Sequence, residues 1–351
     1  MVVANSSHGV ELNSEDSNYH MIAFSWWDNW IMLDVFHGMT DGTGAYEVIR
    51  TLLYYYCSKR YGIALSEEGI RLAGDQIPAA EWADPVVDRT DLPIPPRNEM
   101  PKALSLIDSA GLQDDKTHTV YSVAIREDEF MRFTTKNNGS PATMVSLLFS
   151  RAIARLYPNP KNIINVSLCV DQRKALHVPL AHHCLVGAAF LEYGEKMRNL
   201  PIDEQAPIYR KMVSEQTKED VVLAGVASQS GIAQMLLSKN SDQERVELTK
   251  AIGAVAKDVI TVSVSYVGKA DFKEAERYVK DFSLWTSSAA NGMTIEVSAV
   301  NGRFTLDFIQ VFSNPIFVNA FLEELERNGI EYDLQSVNEL ELSNIRLPWT
   351  E

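Results

Sequence analysis

Residues 35–42, Val-Phe-His-Gly-Met-Thr-Asp-Gly, decide how this sequence folds and where its chemistry lies. An apolar run ends at Val35, Gly38 permits a turn, and Asp41 stands at the N-cap position of a following helix. His37 therefore lies in a turn, where its side chain reaches a cleft rather than the core. The reference pKa of histidine is about 6.5, so a neutral imidazole can accept a proton near neutral pH. The stretch predicts a general base in a turn that is held by a structural aspartate.

The composition is that of an acidic chain with enough apolar residues for a large core. It has 351 residues, 46% of them hydrophobic, and a net charge of −15, which disfavours nucleic acids and anionic membranes as partners. Cys57, Cys169 and Cys184 are too few and too scattered for a disulfide framework, which favours a reducing compartment. No signal-peptide pattern is present, and no apolar run approaches the ~20 residues that span a bilayer. We expect a cytoplasmic protein with no membrane span.

The pattern along the chain predicts two lobes, at 1–116 and 117–351, in which strands and helices are mixed. Near the front we expect a short strand at 9–12 and a hairpin over 20–36, whose continuous apolar character predicts burial on both faces. Residues 63–116 are proline-rich and weakly periodic, as in a connection between lobes. The further predicted strands are 118–125, 163–170, 186–193, 259–266, 293–300 and 303–310. The predicted helices are 43–60, 127–134, 141–156, 205–239, 242–257 and 315–325.

The stretch His37-Gly38-Met39-Thr40-Asp41-Gly42 matches the HxxxDG motif, and the chain resembles the chloramphenicol acetyltransferase-like superfamily. That superfamily includes alcohol acetyltransferases, plant acyltransferases and the condensation domains of peptide synthetases. The resemblance implies a two-lobed α/β fold with mixed sheets flanked by helices. It also implies transfer of an acyl group from acyl-CoA or a carrier-bound thioester to an alcohol or amine. His37 would be the general base, with Asp41 and Gly42 fixing its turn, and no tightly bound cofactor and no metal are implied.

The resemblance extends into the second half of the chain. The helix that opens at Ser140-Pro141 and the hairpin at Asn301-Gly302 are similar to elements of the family's C-terminal lobe. Asp171-Gln172-Arg173 resembles the DxR segment that lies near the substrate channel of family members. Arg173 is the suspected salt-bridge partner of Asp41, and Asp171 is a candidate channel residue. The alternative is a strand end with two solvated charges.

Three departures from the family pattern leave other functions open. Phe36 stands where condensation domains carry an additional histidine, which favours a free-standing acyltransferase, and Tyr266 replaces the asparagine of an SNxG stretch. His37 also lies close to the start of this sequence, so we expect an incomplete first lobe or another chain that completes it. The alternatives are a catalytically inactive binding or scaffold member and a condensation-type enzyme acting on a carrier protein. The charge of −15 disfavours docking of an acidic carrier.

Two other clusters could be mistaken for functional motifs. His177, His182, His183 and Cys184 contain metal-ligating groups, but their spacing fits no closed zinc set, and we predict no metal site. Residues 281–285, Asp-Phe-Ser-Leu-Trp, echo the DFGWG motif of plant acyltransferases without its glycines. We predict that this segment serves aromatic packing.

Overall fold

The computed structural model describes residues 2–6, 9–86, 89, 91–93, 100–113, 117–158, 160–286 and 292–341. The strands are β1 (Val2–Asn5), β2 (Ile22–Trp27), β3 (Trp30–Val35), β4 (Thr117–Arg126), β5 (Ile164–Asp171), β6 (Val186–Tyr193), β7 (Val262–Lys269), β8 (Met293–Val300), β9 (Arg303–Gln310) and β10 (Asp333–Glu341). The helices are α1 (Gly42–Tyr61), α2 (Leu106–Ala110), α3 (Glu127–Lys136), α4 (Pro141–Leu156), α5 (Glu195–Arg198), α6 (Ile202–Gln216), α7 (Glu219–Leu237), α8 (Asp242–Val259) and α9 (Ile316–Arg327). Short 3-10 helices lie at Ala79–Trp82 and Lys273–Tyr278.

A seven-stranded sheet with the order β10-β4-β9-β8-β7-β5-β6 organises the molecule. The pairs β5–β7 and β7–β8 are parallel and the other pairs are antiparallel. Helices α4 and α9 pack together beside this sheet, where fully buried residues such as Phe149, Phe308 and Phe321 form the main core. The predicted architecture of mixed sheets flanked by helices is therefore confirmed.

Local signals in the sequence explain several element boundaries. Ser140 and Thr143 form a capping box, with Pro141 at the start of α4. The β8–β9 hairpin turns through Asn301 and Gly302, both with positive φ as a type I′ turn requires. In these regions the predicted elements agree closely with the observed ones.

The second sheet is small and has the order β1-β2-β3. The predicted two-sided burial of its hairpin is wrong for β3, which pairs with β2 alone among the described residues and forms the edge of the sheet. Trp26, Trp27 and Trp30 are about half exposed. The apolar residues of this hairpin favour a β-strand, but how far each strand is buried depends on the number of strands beside it.

Other differences from the prediction concern strand and helix limits. The predicted strand at 9–12 is wrong, and the first strand is instead β1, parallel to β2. The single helix predicted over 205–239 is two helices, α6 and α7, which break at Thr217 and Lys218 rather than at a glycine. Strand β10 was not predicted at all. Part of the predicted proline-rich connection, at 94–99, lies outside the described residues, and the lobe division at 116/117 stays a prediction.

One helix qualifies the expectation that no segment spans a bilayer. By length and composition alone α7 could do so, with a mean hydropathy of 1.3. Only 22% of its apolar window is buried, where Val222 and Val226 pack against a small cluster with Leu176 and Leu185. A single helix of this kind is weak evidence for a membrane span.

Candidate active site

His37 stands in a tight turn between β3 and α1. The Met39 amide donates a hydrogen bond to the Phe36 carbonyl at 2.9 Å, which closes the turn. A Cβ on residue 38 would lie 2.3 Å from the Phe36 ring, so a larger residue there would require the Phe36 side chain to move. The side chain of His37 is exposed, and an imidazole at this place is open to a substrate.

The start of α1 needs Asp41, Gly42 and Gly44 for different reasons. Asp41 is the N-cap, and its carboxylate accepts a hydrogen bond from the Gly44 amide at 3.2 Å. A Cβ on Gly42 would lie 2.3 Å from Cγ2 of Val267, and a Cβ on Gly44 would lie 2.1 Å from the Thr40 hydroxyl. Close packing, rather than a left-handed backbone, therefore requires both glycines.

Arg173 and Asp41 form a bidentate ion pair in the interior. Two guanidinium nitrogens of Arg173 donate to the two carboxylate oxygens of Asp41, each at 2.8 Å. Both residues are 3% exposed. A planar guanidinium fits a carboxylate in this geometry, so the pair fixes the direction of both side chains. It joins the turn after β3 to the end of β5, across 132 residues of sequence.

The same ion pair holds the segment 181–185, which we call the anchored segment. Arg173 donates to the carbonyls of Ala181 at 2.7 Å and His183 at 2.9 Å. The Leu185 amide donates to Asp41 at 2.9 Å. The Thr40 hydroxyl donates to the carbonyl of residue 182 at 2.7 Å. Hydrogen bonds from the His37 turn and from Arg173 thus fix the backbone of this segment.

Cys184 is the residue that the anchored segment presents to His37. Its Sγ lies 3.5 Å from Nδ1 of His37, within hydrogen-bonding distance for sulfur. Cys184 is partly exposed, and His37 is exposed. The site therefore pairs an accessible thiol with an accessible imidazole.

The contact with Cys184 changes the protonation of His37. The hydrogen bond to Cys184 is the largest of the effects that raise the pKa of His37 from 6.5 to about 9. Partial burial acts in the opposite direction, while the carbonyl of His37 itself and the charge of Glu296 raise the pKa further. At neutral pH His37 is therefore mainly an imidazolium.

Glu296, Ser265 and Cys169 form a polar row on β8, β7 and β5. Ser265 lies opposite Glu296 in the β7–β8 register and hydrogen-bonds to it and to Cys169. Burial raises the pKa of Glu296 and raises the pKa of Cys169 to about 12. Cys169 consequently stays a thiol at neutral pH.

Asp171 lines a cavity beside the ion pair. Its carboxylate accepts hydrogen bonds from the amide of Arg173 at 2.9 Å and from the Arg173 guanidinium at 3.0 Å, and its side chain is 51% exposed. The cavity has a volume of about 480 Å³ and is lined by Thr43, Asp171, Arg173, Lys174, His177 and Pro179. The two charges of the predicted DxR segment thus differ in role, because Arg173 is buried and Asp171 faces solvent.

The other histidines of this region have separate acidic neighbours. Nε2 of His177 lies 3.3 Å from Glu219, and Nε2 of His182 lies 3.5 Å from Glu81. Within the described ranges, no three His, Cys, Asp or Glu side chains come together as metal ligands would.

The sequence did not single out Cys184 as a partner of His37. Its pattern placed this cysteine among three scattered thiols and beside three histidines that fit no metal set, and Cys184 lies 147 positions from His37. The signal available was its place two residues before β6, in the loop that follows Asp171-Gln172-Arg173. Predicted strand order alone could not show that this loop meets the His37 turn.

Comparison with known proteins shows which fold the chain has. No protein-family model matches the sequence, and no curated protein matches it. Solved structures do match over most of the chain. TRI101 of F. sporotrichioides, complexed with coenzyme A and T-2, matches with a TM-score of 0.54 and 14% identity over 89% of this chain and 69% of that one.

Two further solved structures give the same result. Polyketide synthase associated protein 5 from Mycobacterium tuberculosis matches with a TM-score of 0.53 and 15% identity, over 92% of this chain and 79% of that one. The epimerization domain from the third module of tyrocidine synthetase B matches with a TM-score of 0.52 and 9% identity, over 93% and 78%. The chain has the chloramphenicol acetyltransferase-like fold.

The fold confirms the structural part of the resemblance. At identities of 9% to 15% these matches show the architecture alone. The chain spans 61% of the length of another match, a structure that concerns condensation domain-mediated chain release from the enacyloxin polyketide synthase. Activity, substrates and partners are therefore matters for proposal.

Proposed function

We propose that this protein transfers an acyl group from a thioester to an alcohol or amine. One observation carries the proposal: the exposed imidazole of His37 lies in a turn that the buried Asp41–Arg173 pair fixes in place. The fold is that of a protein that has been solved in complex with coenzyme A, which supports acyl-CoA as the donor. The thioester would be a co-substrate rather than a bound cofactor.

His37 is proposed to accept the proton of the attacking hydroxyl or amine. A positioned base contributes about 10²–10⁴-fold to a rate, so substrate positioning must supply the rest. Asp41 and Gly42 act on the structure of the site, because Asp41 caps α1 and pairs with Arg173, while Gly42 packs against Val267. Asp171 and Arg173 border the adjoining cavity and are proposed channel residues.

The first test measures thiol release from a panel of acyl-CoAs with mixed alcohols and amines. We expect release that depends on the acceptor and falls by about 10²–10⁴-fold in His37→Ala. His20→Ala is the control, since His20 is another exposed histidine. An unchanged rate in His37→Ala would remove His37 from the mechanism.

The donor could also be bound to a carrier protein. A carrier-linked donor would act through the same thioester chemistry, and the epimerization domain among the matches comes from a synthetase module. The net charge of −15 disfavours an acidic carrier. Replacing the acyl-CoA with the same acyl group on a carrier tests this alternative directly. A chain that completes the first lobe, and a cytoplasmic location, stay predictions.

A second candidate function is binding of a thioester without turnover. The pKa of about 9 favours it, because an imidazolium cannot accept a proton from the acceptor. Coenzyme A that binds only the native state would stabilise it by about 2.7 kcal/mol at a hundred times its Kd. Thermal unfolding with coenzyme A and acetyl-CoA measures this effect, and stabilisation with no thiol release would favour the second function.

A further inference from the structure

Cys184 differs from the other two cysteines in its surroundings. Cys57 is 2% exposed, and burial raises its pKa. Cys169 is hydrogen-bonded to Ser265, and burial raises its pKa to about 12. Cys184 is partly exposed and lies against His37. Of the three thiols, Cys184 alone has both an open approach and an imidazole partner.

The structure fixes Cys184 from both sides along the chain. The carbonyl of His183 accepts a hydrogen bond from Arg173, and the amide of Leu185 donates to Asp41. These two bonds end on the ion pair that also sets the His37 turn. The thiol and the imidazole are consequently held by one rigid unit, which is the preorganisation that a nucleophile and its proton partner need.

We propose that Cys184 is a nucleophile that takes the acyl group from the thioester donor, with His37 as its proton partner. The inference rests on the proposed acyl transfer and replaces its direct step with two steps through an acyl-cysteine. Cys184 would then touch the reacting carbonyl carbon, which makes it a catalytic residue.

The chemistry balances without an oxidant or a further reactant. In the first step the Cys184 thiolate attacks the carbonyl carbon of the donor, and a carbon–sulfur bond forms at Cys184. The carbon–sulfur bond of the donor breaks, and the departing thiolate takes the proton from the His37 imidazolium. In the second step an alcohol or amine attacks the acyl-Cys184 carbonyl. Neutral His37 takes the proton of the attacking group, and the Cys184 thiolate leaves.

The electrostatics of the site support this order of events. The pKa of His37, raised to about 9, places the proton on the imidazole while the thiol partner is in contact. The same protonation that hinders a direct base helps the first step, since the departing thiolate needs a proton. His37 becomes a neutral base only after it has given that proton away.

The test follows acetylation with acetyl-CoA in the absence of an acceptor. We expect intact-mass spectrometry to show one acetyl group, mapped to Cys184, with release of one equivalent of coenzyme A. The label should be absent in Cys184→Ala, slowed in His37→Ala and unchanged in Cys57→Ala. Adding the acceptor should remove the acetyl group and form the product. Circular dichroism and melting of each variant show that it is folded.

A second measurement does not depend on the identity of the acyl group. Iodoacetamide at pH 7 should alkylate Cys184 before Cys57 and Cys169. In His37→Ala the rate at Cys184 should fall about tenfold or more, because the imidazole that contacts its thiol is removed. A rate at Cys184 that is unaffected by His37→Ala would overturn the pairing.

The outcomes separate this inference from the proposed function. Acceptor-dependent transfer at the wild-type rate in Cys184→Ala, with no acyl-Cys184, would overturn the inference and leave acyl transfer intact. Acetylation of Cys184 with no acceptor product from any pair would support the thiol step and count against the proposed function. No thiol release from any acyl-CoA, with no label on Cys184, would overturn both.

Discussion

Two hairpins of this chain, β2–β3 and β8–β9, are both rich in apolar residues but have different surroundings. The β8–β9 hairpin lies inside the seven-stranded sheet, between β7 and β4, and Leu306 and Phe308 are fully buried. The β2–β3 hairpin lies in a three-stranded sheet, and its Trp26, Trp27 and Trp30 are about half exposed. An apolar hairpin is thus central or peripheral according to its neighbours. We expect stability to be concentrated around the β8–β9 hairpin, whereas the candidate site follows the β2–β3 hairpin.

The largest expected effect on stability comes from the central hairpin. Phe308→Ala should lower the free energy of unfolding by about 3–5 kcal/mol, because it leaves a cavity in a closely packed core. The Phe308 ring lies 5.1 Å from that of Phe321 and 6.5 Å from that of Phe149, centroid to centroid. Urea unfolding measures the loss, with Phe308→Leu as a milder control. A loss below about 1 kcal/mol would show that this core does not dominate stability.

The ion pair links the peripheral hairpin to the main sheet, and breaking it should cost nearly as much. Asp41→Asn removes the buried counter-charge of the Arg173 guanidinium and leaves only the half-exposed Asp171, for an expected loss of about 3–5 kcal/mol. Asp171→Asn is the matched control, since it removes a carboxylate on the same arginine that is 51% exposed, and should cost about 0–1 kcal/mol. Equal losses of unfolding free energy in the two variants would show that burial of the Asp41–Arg173 pair does not determine its contribution to stability.

Local rules predicted most of the fold. Capping residues, Asn301-Gly302 and β-branched runs placed α1, α4 and the central strands, because those signals act within a few residues. Strand β10 escaped notice because its polar sequence, Asp333–Glu341, is set by pairing with β4 rather than by an apolar pattern. The break between α6 and α7 likewise carries no glycine or proline.

The part of the candidate site that belongs to a known motif could be predicted from the sequence. His37, Asp41 and Arg173 could be singled out because a resemblance connects them, and the structure brings Asp41 and Arg173 together. Cys184 could not, since its contact with His37 depends on how a loop far along the chain is held. The prediction that β3 is buried on both faces was wrong for the same reason, because strands distant in sequence decide how far β3 is buried.

The protonation of His37 can be tested directly at the candidate site. In Cys184→Ala the pKa of His37 should fall from about 9 toward 6.5, because the largest of the effects that raise it is removed. NMR titration of the imidazole measures it, with His37→Ala assigning the signal. A pKa that stays near 9 in Cys184→Ala would assign the effect to Glu296 or to the backbone instead.

The same shift has a consequence for stability. Because the folded-state pKa is raised, protonated His37 stabilises the folded state. This contribution is complete below about pH 6.5 and is lost as the pH rises through about 9. The difference in unfolding free energy between wild type and His37→Ala should therefore shrink between these values. A difference that grows with pH would contradict the assigned direction.

The smallest effect is expected at the peripheral hairpin itself. Trp30 is 50% exposed and pairs with Trp27 across the turn, so Trp30→Ala should change the free energy of unfolding by about 0.5 kcal/mol or less. Urea unfolding beside Phe308→Ala compares the two hairpins under one condition. A loss as large as that of Phe308→Ala would mean that another surface covers this sheet in solution. Both hairpins would then be buried, β8–β9 by this chain and β2–β3 by another surface.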